Sequence, residues 1–415
     1  MNGGITVNKN TPAKIIKVSF LGDIACDRPL LEASRIKNGH YSFESVFSEV
    51  KSFLCSSDYV IANFETVCAG SNNDYKNEFF LYNCPDDIIP AMKEGGIDFV
   101  TTANNHCMDQ GIAGLKRTID VLDKNGVAHT GTFVNPEDRC TENHIIAIGG
   151  VKIAILAYTT GTNESNTGIV LNDTNDFHVG LLRKQVDHAK QSGGLKGILA
   201  RHLSAKQRRT IQRGVNRTKL HMGISYFKPY TDQITKADTS ENPYLLKVKQ
   251  EIADAKNVAD VVVVCPHMGG QFNTEPGTYS KFLVDYLKDC GADIIAGNHP
   301  HVVQRAEAND KCVAAYAIGG FNLSISADYI VHESLPEYSM ALHVYINESS
   351  KKISHATFSI LKIIEDAEHR ITVYPVRTLP DELVTKKTRG EITEIYNRIT
   401  GRSKESVDIC DEYAL

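Results

Sequence analysis

The chain is 415 residues long, with 42% hydrophobic and 23% charged residues, a balance that supplies a sizeable core and excludes a disordered or collagen-like protein. Its formal charge of −5 is too small on this length to argue for a nucleic-acid surface, so no nucleic acid is expected and partners must be read from local patches. Nowhere do the roughly 18 consecutive apolar residues of a membrane span run together. Ten cysteines without a C-x-x-C pair, and a start with neither basic nor apolar character, give the expectation of an unexported chain in the reducing cytoplasm.

Residues 1–14 read as a disordered amino terminus, and a main domain is expected over 15–385. Ile15–Leu21 is an apolar, β-branched run halted by Gly22-Asp23, the pattern of a strand buried on both faces. A helix follows over Ser45–Cys55, then a strand, Tyr59–Ala62, ending in Asn63-Phe64-Glu65. Helix Asp87–Gly95 leads to strand Phe99–Ala103, which ends in Asn104-Asn105-His106, and helix Ile112–Asn125 stops at Gly126 as a helix C-terminus should. Val151–Tyr158 is another strand, followed by the small polar turn Thr159–Asn163. Strands alternating with helices imply crossover connections and a largely parallel sheet.

The pattern then changes, and an insert is expected over about 187–243. Between Asp187 and Asp232 no acidic residue occurs, while ten Lys and Arg do, among them Arg208, Arg209 and Arg213. Leu199–Leu220 reads as a basic helix broken near Gly214. Such a stretch is either a solvated face or a platform for an anionic small molecule or peptide, and the three arginines are its candidate contacts. Beyond it, helix Tyr244–Lys256 feeds strand Val261–Cys265 into Pro266-His267, and helix Ser280–Asp289 precedes strand Ile294–Ala296, which ends in Gly297-Asn298-His299-Pro300-His301. Ala341–Ile346, Ala356–Ile363 and Arg370–Val376 alternate apolar and polar residues as antiparallel strands do, and 386–415 reads as a carboxyl-terminal helix and tail.

Five apolar runs thus end in side chains that bind metals and move protons. In open α/β sheets the crevice outside the strands' carboxyl ends is the ligand site, so the five clusters imply one assembled centre. Asp23, Glu65, Asn105, His267, His299 and His301 form an N/O donor set suited to one or two Mn, Fe or Zn ions. His299 and His301 are expected to point the same way if the segment through Pro300 stays strand-like. His106 and Asp109, three apart, can pair so that the carboxylate orients the imidazole as a general acid. Asn63, Asn104 and Asn163 are candidate substrate contacts. Singly, Asp23 and Asp109 could be helix caps, the asparagines turn residues and His267 a satisfied core histidine; their recurrence at five strand ends favours the site.

In order and spacing, Gly22-Asp23, Ala62-Asn63-Phe64-Glu65-Thr66, Ala103-Asn104-Asn105-His106 with Asp109 and Gly111, Tyr158–Asn163, His267-Met268-Gly269 and Gly297–Val302 resemble the bacterial capsule-synthesis proteins of the poly-γ-glutamate type, the CapA family, a branch of the calcineurin-like metallophosphoesterases. The resemblance covers about residues 15–325. It implies a four-layer αββα sandwich of mixed α/β class, with a dinuclear centre at the strand ends. Asp23 and His301 would then serve one metal, Asn105, His267 and His299 the other, with Glu65 bridging and His106 with Asp109 beside the leaving group. Ala25 stands where the superfamily usually has histidine, and Gln271 where the capsule branch has an acid.

Three functions follow from the resemblance. One is a metal-dependent hydrolase of phosphoester, peptide or acyl bonds linked to poly-γ-glutamate metabolism. Another is a metal-independent peptide epimerase of the lasso-peptide type, with Asp23 and a histidine of the His299/His301 pair as its acid and base. The third is a non-catalytic partner of a polyglutamate ligase.

Overall fold

All five apolar runs form strands whose carboxyl ends lie together, in a computed structural model that describes residues 14–75, 81–140, 144–224 and 227–415. The amino-terminal stretch expected to be disordered lies outside the described residues up to residue 13. Four parallel strands come first: β1 (Ile15–Ile24), β2 (Tyr59–Phe64), β3 (Phe99–Thr101) and β4 (Ala128–Thr130). A second sheet takes β5 (Ile145–Ile148), β6 (Val151–Thr159), β7 (Val261–His267), β8 (Ile294–Ala296), β9 (Ala306–Ala308) and β10 (Val313–Ala315). The chain then returns to the first sheet with β11 (Tyr338–Asn347), β12 (Lys352–Glu365), β13 (Ile371–Pro375) and β14 (Tyr413–Ala414).

The orders are β13-β12-β11-β1-β2-β3-β4, with β14 on β12, and β5-β6-β7-β8-β10-β9. Both sheets are mixed: the crossover-linked strands are parallel, as the alternation predicts, and the late hairpin strands β11, β12 and β13 are antiparallel.

Three apolar layers make this a four-layer αββα sandwich. Val18, Phe20 and Val344 of the first sheet face Ile153, Val263 and Ile294 of the second in one buried cluster between the sheets. On the outer face of the first sheet, Val60, Val100 and Leu361 pack against Val46, Ile88 and Met92 from short helices. On the outer face of the second, Leu156, Val262 and Ile295 pack against Val248 and Ile252 of helix Pro243–Val258 and Leu283 and Leu287 of helix Thr278–Cys290. Strands so enclosed need apolar side chains on both faces, so β7 reads as a continuous apolar run. Helix Lys386–Thr400 adds Ile392, Ile395 and Ile399 to the central layer.

One close approach joins the sheets at the site. A Cβ on Gly22 would sit 1.7 Å from the Gly319 carbonyl oxygen, so glycine there lets Asp23 N–H donate to that carbonyl at 3.0 Å and pairs the end of β1 with the segment after β10.

The insert departs from expectation in where its helix breaks. It forms Gly194–His202 and Ala205–His221, and Gly214 lies inside the second. The break falls at Ser204, whose hydroxyl accepts from Gln207 N–H while the Gln207 side chain accepts from Ser204 N–H, a reciprocal cap that starts a new helix. Nothing lies within 4 Å of a Cβ placed on Gly214. An exposed glycine costs a helix only about 1 kcal/mol, less than it takes to end one.

Candidate metal centre

Asp23 lies in β1, Glu65 follows β2, Asn105 and His106 follow β3, His267 closes β7, and His299 and His301 follow β8. Asp23, Glu65, His106, His267, His299 and His301 are all buried. Asp23 accepts from Asn63 Nδ2 at 2.7 Å and from His299 N–H at 3.2 Å, and its Oδ2 lies 3.0 Å from His301 Nδ1. Nε2 of His267 is 2.7 Å from Asn105 Oδ1 and 3.0 Å from His299 Nδ1.

Glu65 is the centre of the arrangement. Its Oε1 is 3.5 Å from His267 Nε2 and its Oε2 3.7 Å from His301 Nδ1, yet neither oxygen has a hydrogen-bond partner. Two groups of donors lie within 4.8 Å of one another, Glu65 with His267 and His299, and Asp23 with Glu65 and His301, and Glu65 is common to both. Burial, reinforced by the Asp23 carboxylate, pushes the Glu65 carboxyl well above its ordinary range. Burial and neighbouring imidazoles hold His267 and His299 well below theirs, so both are neutral, the form that ligates metal. A buried carboxylate with two orphaned oxygens between imidazoles is costly alone and is satisfied by a cation. The donor set therefore fits one or two divalent ions.

The backbone brings the two histidines together by a route other than the one expected. His299 and His301 have φ of 106° and 59°, so the segment is not strand-like, and two left-handed residues around Pro300 turn both rings inward. Such conformations cost about 1–3 kcal/mol each in non-glycine residues and persist where a site over-determines them.

Beside this cluster, His106 Nδ1 is 2.6 Å from Asp109 Oδ2, which also accepts from Tyr82 N–H at 2.7 Å. The Tyr82 ring stacks on the imidazole with centroids 4.1 Å apart, and the far nitrogen, Nε2, lies 3.8 Å from Glu65 Oε1. Geometry thus holds one ring nitrogen on a carboxylate and turns the other to the centre.

Residues 17–324 match the family described as bacterial capsule synthesis protein PGA_cap. The chain belongs to that family. It is 25% identical over 310 residues to the PGA biosynthesis protein CapA of Bacillus subtilis, covering 74% of this chain and 63% of that one. It is 26% identical over 312 residues to the capsule biosynthesis protein CapA of Bacillus anthracis, covering 74% and 59%. The match thus spans about six-tenths of those relatives' length. Among solved structures, a phosphatase from Mycoplasma pneumoniae aligns with a TM-score of 0.40 and 13% identity over 84% of this chain and 94% of that one. A 5'-nucleotidase from Candida albicans aligns at 0.36 and 9%, over 82% and 53%.

In this capsule-family chain the remaining expected residues divide. Asn63 and Asn104, expected to meet substrate, are buried: Asn63 donates to Asp23, while Asn104 donates to the Phe64 carbonyl at 2.8 Å and accepts from His106 N–H at 3.1 Å. Asn163 instead lines an open cleft of about 820 Å³ that also reaches Asn105 and His299. Ala25 provides no donor, and its backbone is pinned by Asn322 at 2.9 and 3.0 Å.

The three arginines face the body of the protein. Arg208 makes a two-pronged pair with Asp187 at 2.9 and 3.1 Å and donates to the Ser165 carbonyl, while Arg209 donates to the Asn166 carbonyl. Arg213 is partly buried on the same helix. The basic stretch thus has a counter-charge in Asp187 at its boundary, and Arg208 and Arg209 grip the short helix Glu164–Thr167 that follows Asn163.

Sequence reading missed Tyr82 and Tyr230 and gave Gln271 no role. Tyr230 Oη is 3.3 Å from His299 Nε2, and Gln271 Nε2 is 3.3 Å from His301 Nε2. Both tyrosines lie on irregular segments where no periodicity marks them; the signals for Gln271 were its nearness to His267 and its place where the capsule branch has an acid.

Proposed function

We propose that this capsule-family chain is a metal-dependent hydrolase acting on a phosphoester or on a peptide or acyl-type bond, linked to poly-γ-glutamate metabolism. The observation that carries the reading is Glu65: a buried carboxylate without hydrogen-bond partners, shared by two groups of ligand atoms. Asp23, Glu65 and His301 would hold one ion and Glu65, Asn105, His267 and His299 the other. A divalent ion there supplies Lewis-acid polarisation and a water of lowered pKa.

The chain's own residues do the rest. Asp109 keeps the Nδ1 proton of His106, Tyr82 fixes the ring plane, and Nε2 is left to give a proton to the leaving group. Asn163 and the cleft beside it orient the substrate.

Elemental analysis of protein purified without chelator is the test, paired with hydrolysis of bis(p-nitrophenyl) phosphate and of a γ-glutamyl anilide before and after metal stripping. Bound divalent metal, with turnover that is lost on stripping and restored by metal, is expected. Epimerisation unaffected by chelator would instead assign Asp23 and a histidine to proton exchange at a Cα, and binding to a polyglutamate ligase without any turnover would leave a non-catalytic role.

A further inference from the structure

Amphipathic helices normally turn their apolar stripe to the core and their charges to water. Helix Ala205–His221 is mounted the other way. Arg208 and Arg209 reach into the body and Asn216 is buried, whereas Ile211, Val215 and Met222, close together on a helical wheel, are 56%, 45% and 68% exposed. The preceding helix, Gly194–His202, carries two further exposed aliphatic residues, Ile198 and Leu199, 47% and 50% exposed. A cluster of large exposed aliphatic residues marks a contact surface rather than chance exposure.

The surrounding charges indicate what covers it. Arg201, Lys206 and Arg217 are exposed, none has an acidic partner among the described residues, and no acid occurs in the sequence from 188 to 231. Neither helix contains an aromatic residue, whereas the cores of protein interfaces are enriched in Tyr, Trp and Phe. A helix with an outward aliphatic stripe and exposed cations without acidic partners matches an interfacial helix that inserts its apolar side chains between acyl chains and sets its cations against headgroups.

We propose that helix Ala205–His221 of the insert docks this protein on an anionic lipid surface. The proposal is independent of the metal centre. It is also distinct from membrane spanning, since no helix among the described residues is long and apolar enough to cross a bilayer.

The experiment is co-sedimentation of the full chain with vesicles of phosphatidylcholine alone and of phosphatidylcholine with about one-third phosphatidylglycerol, at low and high salt. Wild type is expected to bind the anionic vesicles at low salt, to be released as salt rises, and to ignore the neutral ones. The variant Ile211→Ser, Val215→Ser, Met222→Ser should lose at least about tenfold in partitioning, because its inserted groups are gone. Lys206→Gln with Arg217→Gln should lose severalfold and show a weaker salt dependence. Melting by circular dichroism checks the fold, and Met222→Ser alone, at the end of the helix, serves if the triple variant is unstable. Failure of wild type to bind anionic vesicles, or binding by the triple variant equal to wild type, overturns the proposal. So does concentration-dependent self-association in sedimentation velocity that the triple variant abolishes while vesicle binding is absent, an outcome that assigns the face to a second copy.

Discussion

Replacing Glu65 with methionine should have opposite effects on stability with and without metal. In chelator, wild type keeps a buried carboxyl whose two oxygens have no hydrogen-bond partner, next to Asp23. An unsatisfied buried polar group costs about 1–3 kcal/mol, so Glu65→Met, of similar length and apolar, should be more stable by about that amount and melt a few degrees higher. With divalent metal the order should invert. A single ion at a hundred times its dissociation constant stabilises wild type by about 2.7 kcal/mol, and a variant without the shared ligand forfeits most of that. The pH dependence has a definite sign. Burial raises the folded carboxyl above its unfolded value of 4.5, so the folded state holds a proton that the unfolded state has released. Wild type in chelator should therefore lose up to about 1.4 kcal/mol per pH unit relative to the variant as pH rises above that value, until the folded group ionises. Thermal melts of both proteins in chelator and in Mn or Zn, at several pH values, give all three quantities. A variant less stable than wild type in chelator, with an unchanged metal-induced shift, would show that Glu65 is an ordinary satisfied core residue and that neither donor group binds an ion.

His267→Ala and Asn105→Ala should each lower metal content on elemental analysis, since their donor atoms, 2.7 Å apart, face the same group; retention of wild-type content by both would remove that ion. His106→Asn should slow substrates with poor leaving groups by about 10²–10⁴-fold and activated aryl esters far less, and equal losses on the two would count against an acid role. Arg208→Glu should break the pair with Asp187 and cost about 1–3 kcal/mol, between the values for exposed and buried pairs. Hydrogen exchange should report the loss over 164–167. Because Arg208 holds Asp187 below the usual carboxylate range against the opposing effect of burial, the wild-type advantage should be full above 3.8 and fade as pH falls below it.

How much of this was legible in the sequence depended on where each residue sits. Asp23, Glu65, His106 and His267 lie within or directly after strands buried on both faces. There an apolar run and its abrupt polar end are a strong local signal, and the sandwich brings such ends together. The short strands β4, β9 and β10 carry only three residues each, and none ends in a histidine-bearing cluster of the kind that marks the equally short β3 and β8. Tyr82 reaches His106 from an irregular segment, and Tyr230 reaches His299 from the end of the insert; such contacts depend on tertiary placement alone.

The histidines after β8 show the limit most clearly. Their identity and spacing were readable, and so was their convergence, but the mechanism of convergence was not. An extended His-Pro-His would point both rings to one face by alternation, whereas positive φ at both histidines turns them inward from a bend. The same donor atoms result, but the two routes differ in what they demand. An extended segment would tolerate the histidines without cost, while the bend stores strain that packing and contacts such as His299 N–H on Asp23 must offset. The basic insert reverses in a similar way. Its composition left a solvated face and an anion-binding platform both open, but helix Ala205–His221 turns Arg208 and Arg209 to the body and its aliphatic residues to the outside. Charge counted along a sequence gives the sign of a segment. Only the fold says which face carries it.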